Sequence, residues 1–257
     1  MRRARWFTMV AVLWGVTAWA QTPSAEARDP HAEAAGYGFS GGAHPHAGHP
    51  AYSVLRVDRF EHAFMPGDDA TLYDLHGRYG GSFDRAVLKA EGEIARGKVR
   101  AARTELLWSH AVSPFWDTQL GVRHDGGVGP DRGWLALGVE GLAPYWFDVE
   151  VTAYLGPAGR TALRLAASYE LLLTQRLILQ PRVEADFHGK RDSALDHGSG
   201  LTDAVAGLRL RYEFNRQFAP YLGVERGGKV GNSADLAQAA GERAMTTRWV
   251  AGLKFWF

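Results

Sequence analysis

Four histidines near the N-terminus are the residues of this chain best suited to bind a metal ion: His31, His44, His46 and His49. Neutral imidazole is a good ligand for Cu(II), Zn(II) and Ni(II), and a flexible segment can wrap around a square-planar or tetragonal ion. The same composition also suits a polar linker that contains histidine for no chemical reason. Spacing alone leaves both interpretations open, and we predict a metal site at these four residues.

Other residue types that support catalysis are missing or badly placed. The chain has no cysteine, so disulfides and thiolate metal sites are impossible. Ser53, Ser109, Ser113 and Ser168 lack a Gly-x-Ser-x-Gly setting, and His110 follows Ser109 on a segment where adjacent side chains point to opposite faces. Zinc-protease and phosphate-loop motifs are also missing from the sequence. We therefore predict that the protein is not an enzyme.

The N-terminus has the pattern of a secretory signal. Three arginines are followed by a short apolar stretch and by the cleavage motif Ala18-Trp19-Ala20, so residues 1–20 are predicted to be removed and the mature chain to begin at Gln21. An uncleaved N-terminal helix is the less favoured alternative. Without the three arginines, 26 basic residues face 28 acidic ones. This balance, with no basic cluster, argues against nucleic-acid binding.

Residues 21–52 contain the four histidines and are otherwise rich in alanine, glycine and proline. Because such a segment buries too little apolar surface to offset the entropy of ordering, we predict a disordered periplasmic extension. Residues 53–257 are predicted to form the folded domain.

The last nine residues show what kind of domain this is. Trp249, Ala251, Leu253, Phe255 and Phe257 alternate with a mixed set that carries charge, which is the period of two that a β-strand requires. A terminal strand that ends on phenylalanine resembles the closing strand of outer-membrane β-barrels. A mean hydropathy of -0.23 is compatible with a barrel, because alternating strands average out.

Similar alternation recurs from Val54 to the C-terminus and predicts about twelve strands. Most are 9–13 residues long, which suits a tilted strand crossing a bilayer: 54–64, 71–79, 84–93, 98–110, 115–125, 133–142, 145–155, 160–172, 176–188, 201–214, 218–229 and 245–257. Tight connections near 113–114, 143–144, 173–175 and 215–217 alternate with long ones at 126–132, 189–200 and 230–244. The fold class predicted is all-β, a transmembrane antiparallel outer-membrane β-barrel. Charges blur the two faces of 54–64, so the count could be ten.

On the polar face of these strands, arginines and carboxylates occur in similar number. A wide selective pore would show a bias of sign, so we predict a narrow lumen braced by cross-strand ion pairs, with a transport role as the alternative. The predicted lumen residues are Arg85, Lys89, Glu91, Arg103, Glu105, Asp117, Arg123, Glu140, Asp148, Glu150, Arg164, Glu170, Arg176, Arg182, Glu184, Arg209, Arg211 and Glu213.

Several stretches between residues 50 and 257 resemble the copper resistance protein B family of Gram-negative bacteria. They are Ser113 to Asp117 with Gly121 to Arg123, Gly138 to Phe147, Glu170 to Arg182, Gly200 to Asp203, Phe218 to Tyr221 and Lys254 to Phe257. The resemblance implies an outer-membrane barrel that helps limit periplasmic copper. The family's operon setting suggests a periplasmic multicopper oxidase as a partner.

This chain departs from the family in the methionine-rich repeats that often precede the barrel, because only Met65 and Met245 follow the signal. Thioether ligands suited to Cu(I) are therefore scarce, and Cu(II) bound through histidine is the favoured cofactor. The function predicted is an outer-membrane copper resistance protein, in contact with membrane lipid, that binds copper or passes it across the membrane. A general small-solute channel with an inert extension is the alternative, and an outer-membrane hydrolase is disfavoured.

Overall fold

The computed structural model describes residues 51–65, 69–192, 194–195 and 198–257. The predicted signal peptide and nearly all of the predicted extension, including His31, His44, His46 and His49, lie outside the described residues.

Within that part of the chain, antiparallel strands dominate, and one short α-helix precedes the last strand. The elements are β1 (Tyr52–Phe64), β2 (Ala70–Gly80), β3 (Asp84–Ala95), β4 (Lys98–Ala111), β5 (Trp116–Gly127), β6 (Arg132–Ala143), β7 (Phe147–Gly156), β8 (Arg160–Ser168), β9 (Leu171–Leu172), β10 (Leu177–His188), β11 (Gly200–Tyr212), β12 (Phe218–Lys229), α1 (Asn232–Ala239) and β13 (Met245–Trp256). None of the described helices is both long and apolar enough to cross a membrane.

The sheet closes on itself. Successive strands pair antiparallel, and β13 pairs with β1, with Phe64 opposite Trp249 and Val57 opposite Phe255. β9 is a two-residue continuation beside β10, so the wall of the barrel has twelve strands. The predicted fold class is confirmed, and the count is twelve rather than ten.

The predicted strand 160–172 is interrupted in the structure, because β8 ends at Ser168 and β9 begins at Leu171. The register against β10 is the same on both sides of the break. Between them, the Tyr169 amide donates a hydrogen bond to the Pro181 carbonyl over 3.1 Å. Proline has no amide hydrogen to return, so the ladder loses one bond at this position.

Burial is inverted relative to a soluble β-sandwich. In β11, Leu208 on one face is 41% exposed, whereas Arg209 on the other face is 4% exposed. The same alternation holds in β4, where Leu106 is 58% exposed and Glu105 is 3% exposed. Apolar side chains therefore form the outer surface, and charged ones line the lumen, as predicted.

A β-bulge explains why the first strand looked ambiguous in the sequence. The pairing of β1 with β2 shifts between Val57 and Arg59, so one extra residue enters the strand there. A bulge reverses the alternation of faces. Arg56 and Asp58 on one side of it and Glu61 on the other can therefore all reach the interior.

Both ends of the described chain lie at one end of the barrel, where the Phe257 amide donates to the Leu55 carbonyl over 2.9 Å. We call this the terminal end and the opposite one the distal end. Terminal connections span 81–83, 112–115, 144–146, 173–176 and 213–217, and distal ones span 65–69, 96–97, 128–131, 157–159, 189–199 and 230–244.

The predicted alternation of short and long connections is wrong for the distal connections between residues 96 and 159. The connection predicted to be long at 126–132 spans only 128–131, and the other two are the turns at 96–97 and 157–159. Arg96 and Gly97 adopt positive φ angles of 53° and 70°, which is the geometry of a two-residue hairpin turn. Ala158 and Gly159 likewise have positive φ and close a three-residue turn. Only 189–199 and 230–244 are long among these distal connections.

Candidate functional site

A group of ion pairs crosses the middle of the lumen and joins strands that are not neighbours in the sheet. Arg164 of β8 reaches Glu91 of β3 at 3.1 Å, and Arg103 of β4 reaches Asp186 of β10 at 3.6 Å. Arg59 of β1 lies 3.6 Å from both Glu91 and Glu184. We call Arg59, Glu91, Arg103, Arg164, Glu184 and Asp186 the central network.

Beside it, a second set of hydrogen bonds surrounds Glu61, a carboxylate that is only 1% exposed. Arg209 donates to both of its oxygens, at 2.7 and 3.0 Å, and Tyr221 donates to one of them at 2.9 Å. The same guanidinium also reaches Glu225 at 2.7 Å. Arg248 contacts Glu225 as well and extends the set to β3, where it lies 3.2 Å from Glu93. Such bidentate, charge-assisted contacts are strong and fix geometry.

Aromatic side chains also occupy the lumen. The guanidinium of Arg123 lies 4.3 Å from the ring centre of Tyr154 and 5.7 Å from that of Trp134. It is held by Asp125 at 2.7 and 2.8 Å, while the Tyr154 hydroxyl donates to Glu105 at 2.7 Å. The predicted lumen list contained the charged residues but missed these rings. Trp134 and Tyr154 occupy alternate strand positions on the same face as charged residues, and this pattern could have predicted that the rings face the lumen.

Arg59, Glu91, Arg103 and Arg164 of the central network line the inner part of a cavity of about 520 Å³ that extends to the terminal end. Trp146, Tyr169 and Leu172 line it near the terminal end. Lys89 contacts Glu140 at 2.9 Å and Glu150 at 3.0 Å along the wall. The charged lining is Arg56, Asp58, Arg59, Asp74, Lys89, Glu91, Arg103, Glu105, Glu140, Asp148, Glu150, Arg164, Glu170, Arg182, Arg209, Arg211 and Lys254. Positive and negative side chains therefore nearly balance, as the sequence predicted.

At the distal end, the connection between β10 and β11 is tied to β6 and to β8, the neighbour of β10 in the sheet. Asp192 accepts hydrogen bonds from Arg132 of β6 at 3.0 and 3.2 Å and lies 3.3 Å from Arg160 of β8. These hydrogen bonds, together with the charges of both arginines, lower the pKa of Asp192 below its ordinary value. Lys190 also donates to the carbonyl of Ala158 at 3.0 Å. The β10–β11 connection, which we call the distal loop, is therefore held by contacts with β6, with β8 and with the turn at 157–159.

The predicted lumen residues are placed as expected, with one exception. Arg176 lies in the exposed turn before β10 rather than on an inner face. Across the described ranges, no group of three or more histidine, cysteine, aspartate or glutamate side chains is placed to hold a metal ion. His76 lines the cavity with its Nε2 atom 3.2 Å from Asp74. The predicted metal site at the four N-terminal histidines lies outside the described residues and stays a prediction.

Comparison with known proteins decides the family. The sequence model described as copper resistance protein B precursor (CopB) matches residues 51–257. The chain belongs to the copper resistance protein B family. A copper resistance protein B homolog of Pseudomonas syringae pv. tomato is 44% identical over 217 residues, which cover 82% of this chain and 74% of that protein. Copper resistance protein B of Escherichia coli is 42% identical over 206 residues, covering 80% and 69%.

The solved structure of a porin agrees with the fold of this family member. The NanC porin matches with a TM-score of 0.52 at 11% identity, covering 78% of this chain and 98% of that one. The KdgM porin matches with a TM-score of 0.47 at 15% identity, covering 79% and 98%. At such identities the likeness concerns fold alone. The family supports a role in copper resistance, and the barrel fold supports location in the outer membrane.

Proposed function

We propose that this copper resistance protein B limits periplasmic copper by binding it, and that the barrel is not an open pore. The observation that carries the proposal is the central network. Arg164, Arg103 and Arg59 join opposite walls of the lumen through ion pairs of 3.1 to 3.6 Å. A hydrated ion passing through would have to displace these pairs, which are less screened than surface pairs because they are partly buried.

Copper binding is assigned to His31, His44, His46 and His49 in the N-terminal extension, with Cu(II) as the favoured ion. The support is chemical: imidazole suits Cu(II), whereas the methionine ligands that suit Cu(I) are reduced to Met65 and Met245 after the signal. The lumen offers no competing set of ligands among the described residues.

We further propose an orientation in which the terminal end faces the periplasm and the distal end faces outward. An even number of strands brings both chain ends to one side, and a secreted barrel with a periplasmic extension needs that side to be the periplasm. In this orientation the cavity of about 520 Å³ faces the periplasm. A periplasmic multicopper oxidase is the partner we propose for that side.

A general small-solute channel is the second candidate, and the porin-like fold favours it. It predicts conductance that is independent of copper and an extension that can be removed without effect. An enzymatic role has less support, because the family is described by copper resistance and the fold resembles that of a porin.

Titration of a peptide covering 31–52 tests copper binding directly. The peptide should bind Cu(II) in preference to Cu(I) and should release it as the pH falls through about 6.5, because imidazole must be neutral to bind. Replacing His44, His46 and His49 together by alanine should remove most of that binding. Equal Cu(II) affinity in the two peptides would make the extension a linker.

A deletion strain tests the role in the cell. Complementation with the full chain should restore copper tolerance, and complementation with a chain that lacks residues 23–50 should not, although both should reach the membrane in equal amount. Full tolerance without the extension would move the copper function into the barrel and favour the channel.

A further inference from the structure

A groove interrupts the outer apolar surface over β4 to β7, towards the distal end. Leu106, Leu135 and Leu155 line it and are each 58–60% exposed. Gly133, two positions before Leu135 on the distal side, leaves a notch beside them, because a Cβ added there would meet nothing within 4 Å. The groove has a volume of about 740 Å³. An apolar recess on the lipid-facing side of a barrel suits a hydrocarbon chain.

Positive charge is concentrated just beyond the distal end of this groove. Arg96, Lys98 and Arg100 lie at the tip of the β3–β4 hairpin, and all three are exposed. Thr104, which lines the groove, follows Arg100 by four strand positions, about 13 Å along the barrel.

His124 extends the polar border of the groove on the neighbouring strand. It is paired with Thr104 across β4 and β5, and its side chain is 65% exposed. Arginine and lysine bind phosphate oxygens through charge-assisted hydrogen bonds, arginine with two parallel bonds. The arrangement therefore offers an apolar recess on the membrane side and phosphate-binding side chains above it.

We propose that the groove and the basic hairpin tip bind lipid A, the phosphorylated glycolipid of the outer leaflet. One acyl chain fills the recess over Gly133, and a headgroup phosphate contacts Arg96, Lys98 and Arg100. The assignment rests on the proposed orientation, which places the distal end in the outer leaflet. Lipid A fits better than a glycerophospholipid, because its two phosphates are spread over a wide sugar headgroup and match three cations on one hairpin.

Binding is tested with the full chain refolded in phosphatidylcholine vesicles that contain a minor fraction of either lipid A or phosphatidylglycerol. A ligand that binds the folded state raises the melting temperature. We expect lipid A to raise it and phosphatidylglycerol to have little effect. The triple substitution R96Q, K98Q and R100Q should weaken lipid A binding roughly a hundredfold, given the usual contribution of each basic residue near a lipid phosphate.

Gly133→Leu separates the groove from the charges. A Cβ at this position meets nothing within 4 Å, so the barrel should assemble with leucine there, and the longer side chain should compete with the acyl chain and remove lipid A binding. Matched controls are Ala86→Leu, on the exposed outer face of β3 near the terminal end, and the pair R176Q and R216Q, exposed in terminal turns. Heat-modifiable migration in gels verifies that each variant is folded.

Two results would overturn the proposal whatever the outcome of the copper experiments. One is equal stabilisation by phosphatidylglycerol and lipid A, which would reduce the tip to a surface for any anionic lipid. The other is unchanged lipid A binding in folded Gly133→Leu, which would remove the acyl chain from the groove.

Discussion

Two neighbouring residues in β11 show how substitutions act in a barrel whose apolar side chains face outward and whose charged side chains face inward. Leu208 faces lipid, so replacing it by arginine should cost about 2–4 kcal/mol near the midplane. Arg209 faces the lumen, and the alternation alone suggests that leucine would be tolerated there. The structure contradicts that simple view, because Arg209 neutralises Glu61 and Glu225, which are both 1% exposed.

We therefore expect Arg209→Leu to destabilise the barrel by about 3–5 kcal/mol, since it leaves two buried carboxylates without their shared cation. Adding Glu61→Gln should recover a large part of this loss, whereas adding Glu213→Gln, which contacts Arg211 instead, should not. Urea unfolding in lipid vesicles measures all four proteins. Equal stability of Arg209→Leu with and without Glu61→Gln would show that the buried charge is not the cause.

At the scale of elements, the period of two predicted nearly every strand, because one face had to meet lipid along its whole length. The same rule predicted which face carries the charges. It could not predict the bulge near Asp58 or the break opposite Pro181, since both depend on the neighbouring strand. The sequence also could not predict contacts across the lumen, such as that of Arg164 with Glu91. They depend on the tilt and shear of the closed barrel, which no single segment encodes.

The closing strand is the element where backbone and side-chain contributions can be separated. Leu55 and Phe257 exchange two backbone hydrogen bonds of 2.9 and 3.1 Å, while the Phe257 ring is largely exposed. Deleting Phe257 removes the bonds and the ring, and Phe257→Ala removes the ring alone. We expect less assembled barrel in both, with periplasmic accumulation, and a larger loss in the deletion. Normal heat-modifiable migration of the deletion at wild-type abundance would contradict this.

The distal loop should depend on the ionisation of Asp192. Because its pKa lies below the ordinary value of 3.8, the contact is fully formed above that pH and is lost as the pH falls through the lowered value. Asp192→Asn should therefore loosen the loop at neutral pH and increase tryptic cleavage after Lys190 and Arg191. In the wild type, amide exchange in the loop should stay slow down to about pH 4 and rise only below it.

Asp131→Asn is the matched control for that experiment, because the Asp131 side chain is 68% exposed and lies 3.9 Å from the His124 ring. Cleavage after Lys190 should be the same as in the wild type. Equal cleavage rates in Asp192→Asn and the wild type would show that other contacts hold the loop.

For the whole molecule, the closed sheet and the ion pairs that cross its lumen have the same origin. Twelve strands make a barrel whose interior is narrow enough for arginines from one wall to reach carboxylates on the other. Those ion pairs join the two walls. They are the basis of the proposal that this copper resistance protein binds copper and does not conduct it.

Conductance across a planar bilayer tests this proposal. The wild type should show little conductance, and copper should not increase it. Replacing Arg164 and Glu91 together by serine removes a pair that crosses the lumen while leaving the net charge unchanged, so conductance should rise severalfold.

The matched control replaces Arg56 and Asp58 by serine, a pair of the same type that lies 2.6 Å apart on one wall. It should leave conductance low. A wild-type barrel that already conducts as well as the Arg164 and Glu91 variant would show that the central network does not obstruct the lumen, and would favour the general channel.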